Sequence, residues 1–156
     1  MFTFFLKIIF FLLVIGVLCG IYRTIQIGKS ETEKRFLTGK IPKTLPDGLY
    51  SGTAEGYSGS WMGKNFKSAE QKGINLFKKG DVIAEKYPFR TSVTAGIRNP
   101  DLRVIAINYD LPENPFWLRP VLDEIVEVAP GEFLGKLHYR LLTLYPFSLG
   151  FFRLKK

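Results

Sequence analysis

The hydrophobic pattern divides the chain in two. From Phe2 to Tyr22 the sequence FTFFLKIIFFLLVIGVLCGIY carries a single charge, Lys7. That is about the twenty residues needed to cross a hydrocarbon layer of roughly 30 Å at 1.5 Å per residue. A lysine this near the end keeps its stem in lipid and lifts its ammonium to the interface. The stretch therefore predicts a transmembrane helix over 1–22. A cleaved signal peptide is the rival, but no A-x-A-like site follows before Tyr22-Arg23, so an uncleaved anchor is expected.

Beyond the anchor, residues 23–46 turn polar and charged, with Pro42 and Pro46 stiffening the exit, and read as a juxtamembrane linker. From 47 to 156 short apolar runs alternate with turn signals at Lys79-Gly80-Asp81, Asn99-Pro100-Asp101, Pro112-Glu113-Asn114-Pro115 and Pro130-Gly131. The runs are strand-like. Arg103 to Tyr109 is β-branched and aromatic, and Glu124 to Val128 meets Glu132 to Arg140 across a Pro-Gly turn. In that second run Phe133, Leu137, Tyr139 and Leu141 share one side and Lys136, His138 and Arg140 the other, as in a sheet with one apolar face. Phe147 to Leu154 makes a closing strand. Seven to nine short strands in this length predict a mainly β domain, and closure into a small antiparallel barrel removes exposed edges.

Charge narrows the partners. The chain has 156 residues and a net charge of +8, which suits anionic headgroups or nucleic acid. Its basic residues are interspersed with acids, as at Lys29, Glu31, Glu33, Lys34 and Arg35, and no nucleic-acid-reading motif is present. Membrane lipids, a hydrophobic small molecule or another membrane protein are the expected partners, and nucleic acid is not. Arg23, Lys29, Lys34, Arg35, Lys40 and Lys43 follow the helix while Lys7 alone precedes its end, which favours a cytoplasmic domain. Cys19, the single cysteine, lies in the apolar stretch and excludes an intramolecular disulfide. Leu18 stands where bacterial lipid attachment favours a small residue, against lipidation of Cys19.

One motif adds a resemblance. Gly59-Ser60-Trp61-Met62-Gly63-Lys64-Asn65-Phe66 gives G-x-W-x-G followed by a lysine and an aromatic residue. It resembles the GXWXG family of lipocalin-like proteins. Tyr109-Asp110 at a strand end, Arg119 in a Pro-containing connection, Asp123, Leu134-Gly135 and a final Phe152-Arg153 resemble the second half of that family's pattern, over residues 50–156. The resemblance implies a calycin-type barrel able to hold an apolar ligand, with Trp61 packed at its closed end. Trp61 then serves chiefly as core and needs an acceptor for its indole N–H. Lys64 caps the barrel, meets an anionic headgroup, or is a solvated surface lysine.

Catalytic chemistry has little support. His138 is the sole histidine, so no His-rich metal site exists, and no metal or cofactor is expected. A serine triad would need His138 with Ser51, Ser58, Ser92 or Ser148, and no G-x-S-x-G elbow is present. Asp123 and Glu124 are neighbours on a strand and point to opposite faces, so they do not make a carboxylate pair. Arg119 or Arg140 paired with Asp123 is a candidate for a cationic site suited to a fatty-acid carboxylate or a phosphate. Tyr109 and the large residues Phe66, Phe77, Phe89, Phe133 and Tyr139 line a pocket or fill it. Pro115-Phe116-Trp117-Leu118 either covers a barrel end, docks a partner or enters the headgroup layer. The leading expectation is a membrane-anchored barrel binding a lipid or other hydrophobe, with Trp61, Lys64, Phe66, Tyr109, Arg119, Asp123, Tyr139 and Arg140 as candidate ligand contacts. The alternatives are a filled-barrel assembly protein of a membrane complex and an enzyme on a lipophilic substrate using His138, Asp123 or Tyr109.

Overall fold

A computed structural model describes residues 2–141 and 145–156. The apolar N-terminal run forms helix α1, Phe2–Gly28, which is long and apolar enough to cross a membrane. Ser30 then caps a second helix, α2, Glu31–Leu37: its hydroxyl accepts from Glu33 N–H at 3.0 Å, and Glu31 and Glu33 complement the positive helix end. The expected linker over 23–46 is thus largely folded. Phe36 is fully buried, and Lys40 exchanges both backbone hydrogen bonds with Glu127, at 3.1 and 2.8 Å.

Eight strands follow: β1 Gly48–Ala54, β2 Trp61–Lys67, β3 Lys72–Lys79, β4 Val82–Ala95, β5 Arg103–Asn108, β6 Val121–Ala129, β7 Glu132–Leu141 and β8 Tyr145–Lys155. Each pairs antiparallel with its neighbour in sequence, and β8 returns to β1 through Ser51↔Lys155 to Ala54↔Phe152, so the sheet closes into a barrel. The four expected turn signals all fall between strands. At two of them Gly80 and Gly131 supply φ of 61° and 72°, which a side chain disfavours.

Inward side chains Tyr50, Phe66, Phe89, Ile105, Ile107, Ile125, Phe133 and Leu154 form the barrel core. A second apolar layer lies outside the wall, where Val104, Val126, Leu134 and Phe151 meet Ile27 of α1 and Phe36 of α2. Strands β5 to β8 are therefore covered on both faces along this layer, and the polar residues they carry there, Asp123, Glu124, Lys136 and His138, are buried with partners. The reading of Lys136, His138 and Arg140 as a solvated polar side is corrected accordingly: Lys136 and His138 are 2% and 0% exposed beneath the helices.

Helix α1 and strand β8 run side by side in the same direction. Gly20 lies so close to the Phe147 ring that an added Cβ would sit 2.9 Å from it. Arg23 Nε donates to the Leu149 carbonyl at 3.0 Å, and Ser148 N–H donates to Thr24 Oγ1 at 3.0 Å. Ile27 then reaches Phe151 in the outer layer.

Candidate functional site

The barrel interior has two unlike halves. One is filled by aromatic rings: Tyr50 meets Phe66 and Phe133 edge-on at 5.6 Å, and Phe66 meets Phe89 at 5.4 Å. The other holds a cavity of about 410 Å³ walled by Trp61, Phe77, Tyr87, Trp117, Leu137 and Phe152. This size falls in the usual range for ligand pockets. Phe66, Phe89 and Phe133 are thus filling, while Phe77 lines the cavity. Tyr139 belongs to neither, facing a groove between β7–β8 and α1.

A buried polar cluster separates the halves. The pairing of β2 with β3 skips a residue between Trp61 and Gly63, so that Trp61 and Lys64, three apart, both face inward. Gly63 makes this possible, with φ of 139° and a Cβ position only 2.0 Å from the Tyr50 carbonyl. Lys64 Nζ donates to Asn75 Oδ1 at 2.9 Å, to Asp123 Oδ2 at 3.0 Å and to the Tyr109 hydroxyl. Its ammonium also lies 5.2–5.5 Å from the ring centres of Trp61, Phe89, Tyr109 and Phe152, an aromatic cage around a cation. Tyr109 donates in turn to Asp123 Oδ2 at 3.0 Å. Asn75 accepts from Trp61 Nε1 at 3.1 Å and donates to the Tyr87 carbonyl at 3.0 Å and the Tyr109 oxygen at 3.2 Å.

Burial acts on both titrating partners of Asp123. It pushes the Lys64 ammonium below the usual lysine range, against the opposing pull of the Asp123 carboxylate. It raises the Tyr109 phenol well above the usual tyrosine value, and the Asp123 charge adds to that rise. All three Lys64 protons are engaged, and its charge is matched by Asp123. Asp123 Oδ1, also buried, has no hydrogen-bond partner among the described residues. The cluster is therefore matched in charge within itself and offers an incoming ligand no spare cation.

Of the sequence candidates, Trp61, Lys64, Tyr109 and Asp123 come together at the cavity. Trp61 finds its acceptor there, but it lines the hollow half instead of a closed end, and Lys64 is neither a cap nor a surface lysine. The expected pairing of Arg119 or Arg140 with Asp123 is not what forms. Arg119 pairs with Asp110 at 2.7 Å in an exposed bridge, and Arg140 ties β7 to Asn108 and to the Pro120 and Arg119 carbonyls. Lys64 supplies the cation instead. Asn75 faces inward in regular alternation with Gly73 and Phe77, but its neighbours Ile74 and Leu76 are the more apolar pair, so the pattern along β3 points the apolar face the wrong way.

Asp123 and Glu124 do point to opposite faces. Glu124 Oε2 meets His138 Nε2 at 3.2 Å, and His138 Nδ1 meets Ser148 Oγ at 3.2 Å, in the order nucleophile, base and orienting acid. The three residues are 1%, 0% and 1% exposed, roofed by Thr24 of α1, so no substrate reaches them. Glu124 Oε1 also accepts from the Ile97 N–H, so the three side chains tie β6, β7 and β8 to the β4–β5 connection beneath α1. Lys136 ties β7 to α2 through Glu33, at 2.6 Å. Comparison with known protein families, curated proteins and solved structures found no match.

Proposed function

We propose that this chain is a membrane-anchored barrel that holds a lipid or other hydrophobic ligand, with α1 as the anchor. The observation that carries the reading is the hollow half of the barrel, walled by aromatic side chains and floored by the Lys64, Tyr109, Asn75 and Asp123 cluster. A barrel evolved only as a spacer gains by filling its interior, as the other half does. The likeness of Gly59 to Phe66 to GXWXG lipocalin-like proteins supports the same reading. Burying a hydrocarbon chain contributes about 0.8 kcal/mol per methylene relative to water, which matches what each methylene loses on leaving lipid when the walls fit it. The floor favours a neutral ligand over a carboxylate or phosphate, because every Lys64 proton is already engaged and its charge already matched.

The test is native mass spectrometry of the full-length chain released from mild detergent, beside a Leu137→Trp variant that fills the cavity. A stoichiometric lipid adduct in the wild type that is lost in the variant supports the reading. A bare mass after incubation with mixed lipids overturns it and leaves the second reading, an assembly protein of a membrane complex, which the 84% exposure of Phe116 favours.

A further inference from the structure

We infer that the open rim of the barrel rests in the headgroup layer of the bilayer that holds α1, so that the cavity opens onto the membrane. The inference rests on the reading of α1 as an anchor, and its evidence is the docking of that helix. In an up-and-down barrel alternate connections lie at opposite ends. The β1–β2, β3–β4 and β5–β6 connections, the end of β7 and the start of β8 share the end on which the cavity lies. Because α1 and β8 run in the same direction, with Gly20 at Phe147 and Ile27 near Phe151, that end faces the N-terminal, apolar part of α1.

The level of the membrane surface follows from charge. Arg23 is the first charged residue after the apolar run, and its side chain is fixed at Leu149. Gly20, three residues earlier and about 4.5 Å deeper along the helix, abuts Phe147. Farther still, Leu12, Leu13 and Gly16 of α1 line a groove with Tyr139 and Leu141 of the β7–β8 hairpin. A bilayer that surrounds α1 therefore also meets the start of β8.

The side chains at this rim suit that surface. Phe116, Val82, Ile83, Tyr57 and Trp117 are 84%, 68%, 56%, 52% and 51% exposed, and they come from three separate connections or strand ends. The opposite end carries Lys67, Glu70, Lys72, Asp101 and Lys156, with Leu49 as its one apolar side chain more than half exposed among the described residues. Apolar and aromatic side chains gathered at one end and level with a membrane helix match the interfacial layer. Asp81, at the β3–β4 turn, holds the depth to the headgroups, since a carboxylate does not enter hydrocarbon cheaply. Trp117 is both half exposed and part of the cavity wall, so it stands where cavity and bilayer meet. A ligand passing this way moves between lipid and barrel without crossing water.

The chain has two tryptophans, so Trp61→Phe leaves Trp117 as the only indole. The full-length variant is placed in phosphatidylcholine vesicles whose lipids carry a nitroxide either high on the acyl chain or near its methyl end, and iodide is added to the water in a parallel series. Trp117 emission is expected to fall most with the shallow nitroxide, less with the deep one and least with iodide. Should Trp61→Phe fail to fold, the difference between wild type and Trp117→Phe isolates the same emission. Strong iodide quenching without nitroxide quenching, in a protein that resists alkaline extraction, overturns the inference while the anchor stands. Release by alkaline extraction overturns the anchor reading and this inference with it.

Discussion

Two buried polar clusters in this molecule look alike on paper and differ in what surrounds them. The inner one, Lys64 with Asp123, Tyr109 and Asn75, sits inside a closed barrel beside a cavity. The outer one, Lys136 with Glu33 and His138 with Glu124 and Ser148, lies between the barrel wall and the two helices. Each pairs a buried lysine with a buried carboxylate, and each leaves one carboxylate oxygen unpartnered among the described residues, Asp123 Oδ1 or Glu33 Oε2. The wall around the inner cluster cannot open without breaking strand pairing. The roof of the outer cluster is in part a seven-residue helix that can lift away. Polar groups of the same kind therefore floor a cavity in one place and dock a helix in the other.

The sharpest way to break that comparison is to remove each lysine. Lys64→Met leaves Asp123 as an uncompensated buried charge, and about 3–5 kcal/mol of stability should be lost in denaturant unfolding. The double variant Lys64→Met/Asp123→Leu should recover most of it, because a well-packed apolar pair of similar volume replaces a buried ion pair at little cost. Equal losses from the single and double variants would mean that the cluster is held by packing alone. Lys136→Met should lose less, about 1–3 kcal/mol, because α2 can lift and let Glu33 reach water. Hydrogen exchange should then show α2 amides losing protection while the barrel strands keep theirs. A uniform loss across the barrel would place the outer cluster in the same cooperative unit as the inner one.

Alkali sharpens the inner cluster further. Tyr109 holds its proton above the ordinary tyrosine range, so above about pH 10 the unfolded chain loses that proton first and stability falls as pH rises. Lys64 acts with the opposite sign: its folded-state value is lowered, so the unfolded chain binds more protons and stability rises with pH up to about 10.5. Urea midpoints from about pH 8 to about pH 11 should show a decline in the wild type that is reduced in Tyr109→Phe. Burial also raises Tyr50, which leaves that variant a smaller decline of its own. An unchanged decline would remove Tyr109 as its source. The smallest effect is expected from Ser148→Ala, about 1 kcal/mol for one buried hydrogen bond to His138, read in the same unfolding series.

Much of this was legible from residues alone. The apolar run to Tyr22, the turn signals and the aromatic strand runs predict one long helix and a small closed β domain. The neighbouring carboxylates Asp123 and Glu124 predict opposite faces, because side chains alternate along a strand. The motif around Trp61 drew attention to Lys64. For Asp123 the residues alone point to Arg119 or Arg140 as partner, since periodicity tells whether a side chain points inward but not which strand it faces across the interior. Lys64 and Asp123 are 59 positions apart on β2 and β6, and only the closed ring sets them opposite one another.

What the sequence by itself determined is local: helix length, strand alternation, turn positions and the glycine that lets Trp61 and Lys64 face the same way. These follow from backbone geometry and from the apolar character of each stretch, which act over a few residues. Tertiary structure alone decided that polar residues 23–46 fold onto the wall, that one half of the interior is hollow, and that a serine, histidine and glutamate in triad order are sealed beneath α1. Those outcomes depend on which surfaces meet, and a buried polar residue reads as solvated until its partner from a distant strand or helix is in place.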